Sequence, residues 1–312
     1  MSSKKIVFIG TPEFACAILR ALKENDYNVI AVVSQPDKPV GRKHILEKTP
    51  VHALADEYGI PVLQPVNMRK EADSIIALGA DLIITCAYGQ FVPEKILKAP
   101  EYGCLNIHPS LLPKYRGGAP VHRAVWNGDT VTGVCLMEMV KEMDAGKVYA
   151  RCETPIDPDD TTETLNLKLE RDACELMLKS LPAYFNGELE GVPQDPEGVV
   201  LAPNISKEDE QIHFAQEDVH QAYNHLRALI DWPVSYGLIE GKRVKFYRAE
   251  KKVCDITEKP GTVLGFNKKA MEIACTGGIL RILELQMEGK SKMSAEAFAN
   301  GAGRSLTGKI FE

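Results

Sequence analysis

Apolar runs broken by Gly and Pro set out the first half of this chain. Ile6–Gly10 follows the basic pair Lys4 and Lys5, and residues 28–34, 60–63 and 81–87 repeat its character. Such unbroken runs predict strands buried on both faces of a parallel sheet. Between them, Thr11 is placed to cap a helix with Pro12 at its first position and Glu13 in its first turn. Thr49 and Pro50 repeat the signal, and residues 68–78 predict a third helix. Residues 120–127 read as a helix, and 132–139 and 147–153 as two strands of a hairpin at the sheet edge. From 161 to 185, Leu165, Leu169, Ala173, Leu176 and Ser180 recur along one helical face, a core stripe.

The pattern changes after residue 187. Gly187, Gly191, Pro193, Pro196, Gly198 and Pro203 punctuate a segment that regular elements avoid, predicting a linker at 188–205. Beyond it, residues 219–229 are helical, and short runs follow at 235–239, 243–249, 261–266, 271–275 and 279–286. That is the hairpin spacing of a small antiparallel barrel. The expected organisation is an α/β domain over residues 1–187, with a mostly parallel sheet, and a smaller β domain over 206–312.

A chain of 312 residues exceeds one typical core, in keeping with two domains. Its 45% hydrophobic and 26% charged residues are those of an ordinary globular protein. No apolar run approaches membrane-spanning length, and Met1-Ser2-Ser3-Lys4-Lys5 leads directly into a strand, so no membrane contact and a cytoplasmic location are expected. The eight cysteines form no Cys-x-x-Cys pair, which argues for buried thiols in a reducing compartment and against a metal site. Cys104 alone is a candidate nucleophile. The turn Gly10-Thr11-Pro12-Glu13-Phe14 lacks the spaced glycines of a dinucleotide site, so no nucleotide cofactor is expected. A net charge of −6 argues against indiscriminate nucleic-acid binding. The acidity lies in the first 206 residues, because 207–312 carry 16 Lys and Arg against 15 Asp and Glu. Nothing points to an obligate protein partner.

Candidate chemistry concentrates between Cys104 and Gly118. On a strand, Asn106 and His108 share the face opposite Leu105 and Ile107. Pro109 ends the strand, placing His108 at its carboxyl end, where open α/β sheets build sites. The residues that follow, Ser110, Leu111, Leu112 and Pro113, then predict a binding loop, and Arg116-Gly117-Gly118 a bend that turns backbone N–H groups towards it.

This stretch resembles the signature of the folate-dependent formyltransferases, Asn-x-His-Pro-Ser-Leu-Leu-Pro-x-Tyr-Arg-Gly, and the likeness extends over essentially the whole chain. The resemblance implies a Rossmann-like catalytic domain followed by an OB-like one. It also implies transfer of a formyl group from 10-formyltetrahydrofolate to an amine by Asn106, His108 and an Asp in a later loop. Asp144, before Ala145 and Gly146, matches that Asp. The folate would lie on Ser110–Pro113, with Phe14 adding apolar surface and the loop at Tyr88 and Gly89 holding the pterin. Asn106 and the His108 N–H would stabilise the developing oxyanion, and Asp144 would fix the ring by charge and hydrogen bonding.

Two basic segments bear on the acceptor. Residues 35–48 read as a polar, irregular loop with Lys38, Arg42, Lys43, His44 and Lys48. In family members acting on methionyl-tRNA a basic insertion here meets the acceptor stem, and Arg42 matches the residue assigned that contact, with Lys43 beside it. The second segment sets Lys242, Arg243, Lys245, Arg248, Lys251 and Lys252 against Glu250 alone, with Arg243, Lys245 and Tyr247 on one strand face, a footprint for RNA backbone. The expected partners are therefore folate and initiator methionyl-tRNA. A sugar or ribonucleotide formyltransferase, or a formate-releasing hydrolase, would share the core, but a purine-pathway enzyme would have little reason for the second domain and the loop at 35–48. A folate- or RNA-binding protein without turnover would have little reason to keep Asn106, His108 and Asp144 together.

Overall fold

The computed structural model describes residues 3–40, 45–267 and 269–312. The first part runs β1 (Ile6–Gly10), α1 (Glu13–Glu24), β2 (Val29–Val33), β3 (Lys38–Val40), β4 (Ile45–Glu47), α2 (Pro50–Glu57), β5 (Val62–Leu63) and α3 (Ala72–Ile76). It continues with β6 (Leu82–Cys86), α4 (Glu94–Leu97), β7 (Cys104–His108), α5 (Pro120–Trp126), β8 (Val131–Glu138), β9 (Val148–Pro155) and α6 (Thr162–Phe185). Seven strands form one sheet in the order β5-β2-β1-β6-β7-β8-β9. Pairing is parallel from β5 to β7 and antiparallel from β7 through β8 to β9. Every residue of β1 and β6 is buried, as their unbroken apolar runs require. Parallel pairing of β1, β6 and β7 brings their carboxyl ends, Gly10, Cys86 and His108, to one edge of the sheet.

The second part holds α7 (Val219–Leu229), β10 (Tyr236–Ile239), β11 (Lys242–Val253), β12 (Val263–Asn267), β13 (Ala270–Cys275), β14 (Gly278–Met287), β15 (Met293–Ser294) and α8 (Ala295–Ala299). Its antiparallel sheet runs β10-β11-β14-β13-β12, with β15 on β14. Phe214, Val244, Phe246, Ile282, Leu285 and Phe311 fill its core. Asp218 opens α7 with a capping box completed by Gln221.

The chain divides into two compact units by more than one cut. The first comprises Met1–Pro120, Val131–Pro155 and Asn166–Pro203; Val121–Thr130 and Ile156–Leu165 join Asn204–Glu312 in the second. Side chains explain the grouping within the second unit. Trp126 stacks on the buried His225 at 3.9 Å, Arg123 donates to Asp209 at 2.8 Å, and the buried Arg227 donates to the Asp160 carbonyl at 2.7 Å. Among the described residues no helix is long and apolar enough to cross a membrane.

Four local expectations need correction. Thr11 does not cap α1: Pro12 occupies the cap, and the Thr11 hydroxyl donates to the Tyr88 carbonyl at 3.0 Å. Thr49 does cap α2, accepting from the His52 N–H. The helix expected at 68–78 is reduced to α3, because the Asn67 side chain accepts the N–H groups of Arg69 and Lys70 and holds that stretch in a turn. The polar loop at 35–48 contains an antiparallel pair, β3 with β4, and Asp37 ties its base to His52 at 2.9 Å and Gln64 at 2.7 Å. Finally, the strand expected over 243–249 runs on to Val253, absorbing register shifts on either side of Arg248.

Candidate active site

β7 positions the two polar side chains as its alternation demands. Leu105 and Ile107 are buried on one face, and Asn106 and His108 occupy the other, with His108 only 4% exposed. The neighbouring β6 supplies a residue that pattern reading missed. Thr85 stands in register with Asn106, and its hydroxyl donates to Asn106 Oδ1 at 2.8 Å. With the amide oxygen engaged, Asn106 Nδ2 is left to act as donor.

His108 Nε2 lies 2.9 Å from the Tyr115 carbonyl, which can only accept, so Nε2 carries a proton. Nδ1 faces Asp144 Oδ2 at 3.7 Å, close enough for attraction between charges but longer than a hydrogen bond. The ring is therefore oriented by Tyr115, not by the hydrogen bond to Asp144 that the sequence led us to expect. Asp144 Oδ2 accepts the Gly117 N–H at 2.9 Å, in line with the expected role of the Gly-rich bend. Tyr115 and Asp144 both have positive φ, 63° and 51°. Asp tolerates that region through its short polar side chain, whereas a Tyr there stores backbone strain, a feature that clusters at functional sites.

The loop after β7 is shaped from within. Ser110 is fully buried, and its hydroxyl donates to the Lys114 carbonyl at 2.6 Å. Leu112 packs with Cys135 and Met137, while Leu111 and Pro113 are half-buried. At the same sheet edge, Phe14 is half-buried and Gly89 is exposed with φ 85°. The Tyr88 ring sits in the apolar core of the first unit, and its carbonyl accepts from Thr11 at 3.0 Å and Gln35 at 3.1 Å. Tyr88 thus shapes the loop, and the exposed positions around it are Ala87, Gly89 and Phe91.

Burial pushes the Cys104 thiol up to about 12, and its Sγ contacts the Ile96 and Leu97 carbonyls, so the candidate nucleophile is an inert core residue. Arg42 and Lys43 lie outside the described residues. In the second unit Arg243, Lys245 and Tyr247 share the face of β11 opposite the buried Val244 and Phe246. Arg243 lies 4.6 Å over the Tyr236 ring, and Lys292 the same distance over Tyr247. Among the described residues no group of His, Cys, Asp or Glu side chains is arranged to hold a metal. A cavity of about 580 Å3 in the second unit, lined by Trp126, Asn224, Arg227 and Lys251, contains none of these candidate residues.

Comparison with known proteins bears on this geometry. Residues 4–181 match the family model described as formyl transferase, and residues 204–303 that described as formyl transferase, C-terminal domain. A methionyl-tRNA formyltransferase from Geobacillus thermodenitrificans is 44% identical over 305 residues, covering 96% of this chain and 95% of its own. One from Streptococcus pyogenes is 44% identical over 97% of each chain. Among solved structures, HypX from Aquifex aeolicus superposes with a TM-score of 0.69 over 98% of this chain and 50% of its own. At 19% identity that likeness is one of fold.

Proposed function

We propose, for a chain that belongs to the methionyl-tRNA formyltransferase family, that Asn106, His108 and Asp144 carry the reaction and that 10-formyltetrahydrofolate is the formyl donor. The protein is an enzyme that transfers a formyl group to the amino group of methionyl-tRNA, for translation initiation. Catalysis is assigned to residues 1–187 and tRNA contact to 206–312, joined through 188–205.

When the amine attacks the formyl carbon, negative charge gathers on the formyl oxygen. Donors fixed in advance at that oxygen supply the largest share of catalysis in acyl transfer. Asn106 is suited to this because Thr85 holds its oxygen and leaves Nδ2 to donate. His108 commits Nε2 to Tyr115, so its chemistry falls to Nδ1. A proton at Nδ1 donates to the developing oxyanion and is balanced by the Asp144 carboxylate, 3.7 Å away. Asp144 also accepts the proton that the attacking amine must lose, directly or through water, for return to the departing nitrogen. The loop Ser110–Pro113, with Phe14 and Gly89, supplies mixed apolar and backbone surface of the kind a pterin ring needs. Arg243 and Lys245 on β11, with Arg42 and Lys43, are assigned to the tRNA backbone.

The observation that carries this reading is the meeting of His108 and Asp144 on the face of β7 that also bears Asn106. Its test is formyl transfer from 10-formyltetrahydrofolate to methionyl-tRNA, run beside uncharged tRNA, glycinamide ribonucleotide and water. Transfer to the charged tRNA alone supports the assignment. Formate release without an acceptor, or transfer to the ribonucleotide, overturns it.

A further inference from the structure

Within the first unit, the segment after α6 is stitched to both loops that form the candidate site. Val192 and Val148 exchange two backbone hydrogen bonds of 2.9 Å. Further along, the Arg116 N–H donates to the Val200 carbonyl at 2.9 Å, and the Ala202 N–H to the Arg116 carbonyl at 2.7 Å. Between these fastenings sits Gln194. Its Nε2 donates to the carbonyls of Asp144 at 2.8 Å and Gly146 at 2.7 Å. Its Oε1 accepts from Arg116 Nε at 3.0 Å and Nη2 at 2.8 Å. A primary amide has two N–H donors and two acceptor lone pairs, and here all four are directed at the two loops.

We infer that Gln194 is a positioning residue for formyl transfer: it sets the Asp144 loop against the Arg116–Gly117 bend, so that the carboxylate stays facing His108 Nδ1. The inference rests on the role given above to Asp144. Gln194 holds the backbone of Asp144 and leaves the carboxylate to the Gly117 N–H and to His108. Asp144 tolerates its φ of 51° by itself, so what Gln194 fixes is where the loop sits, through the carbonyls of Asp144 and Gly146. The Arg116 side chain closes the frame from the same bend whose next N–H meets the carboxylate.

Gln194→Glu separates this role from simple attachment of the segment. The substitution keeps length and shape and strengthens the acceptor for Arg116, but it sets a carboxylate oxygen against two carbonyl oxygens. Gln194→Met removes the donors without adding charge. Both leave the backbone fastenings at Val192, Val200 and Ala202 in place.

The test is steady-state formyl transfer to methionyl-tRNA by the full chain, with thermal unfolding measured alongside. The expected result in both variants is a fall of about tenfold or more in kcat, with KM for the donor within about twofold, as loss of orientation at a reacting group produces. Tm is expected to fall by no more than about 5 °C, because Gln194 is only part-buried and water can take up the groups its four hydrogen bonds release. A kcat within about twofold of the unsubstituted chain in Q194M, or a loss that appears only as a raised KM or in step with a lowered Tm, overturns the inference. If the unsubstituted chain itself transfers no formyl group, the proposed function fails and the inference with it; an active chain indifferent to Gln194 removes the inference alone.

Discussion

At the carboxyl end of β7, polar side chains are held by other parts of the first unit: Asn106 by Thr85, His108 by Tyr115, and Asp144 by Gly117. On the outer face of β11 the arrangement is different. Arg243 is exposed and leans on one aromatic ring, and Lys245 and Tyr247 on the same face are half-buried. On the roles proposed above, the first region suits one fixed geometry and the second a diffuse field. An oxyanion has a fixed position, so its donors gain from being locked beforehand. A phosphate backbone offers many equivalent oxygens, so long cations on an exposed strand can meet it without being fixed.

The sharpest way to break this contrast is at Asn106. Asn106→Ala is expected to lower kcat by about 100- to 1,000-fold, the cost of losing one preorganised oxyanion donor, with methionyl-tRNA affinity unchanged. Full activity in single-turnover transfer would move the charge-stabilising role elsewhere.

Thr85→Val tests whether the holding itself matters. The change is close to isosteric and removes the hydroxyl from Asn106 Oδ1. Kinetics should show a fall in kcat of about tenfold, with about 1 kcal/mol lost in chemical denaturation, as for one net hydrogen bond. Equal activity would mean that β7 alone holds the amide.

The smallest expected change is on the other side of the comparison. Arg243→Ala combined with Lys245→Ala should raise KM for methionyl-tRNA severalfold, reduce the slope of log affinity against log salt by about 2, and leave kcat alone. A fall in kcat with unaltered salt dependence would remove β11 from the RNA contact and give it a structural role.

Much of this was legible along the chain, for reasons that belong to particular residues. The run Ile6–Gly10 could only be a strand with both faces covered, and the alternation Leu105, Asn106, Ile107, His108 put amide and imidazole on one side. Thr49 and Pro50 marked both a helix start and its cap, whereas Thr11 and Pro12 marked the start of α1 but not its cap. The two signals are the same locally. What separates them is the Tyr88 carbonyl, 77 residues away, which takes the Thr11 hydroxyl.

By itself, the sequence determined the main strands and helices and their order, the shared face of Asn106 and His108, and the loop character of residues 109–118, because each follows from backbone sterics and side-chain alternation within a few residues. Only the tertiary structure decided which nitrogen of His108 faces Asp144, which way the Asn106 amide points, and that Gln194, in a stretch read as a plain linker, grips both site loops. Those outcomes depend on hydrogen bonds between residues from 7 to 78 positions apart, and neither a propensity nor a period carries information over such separations.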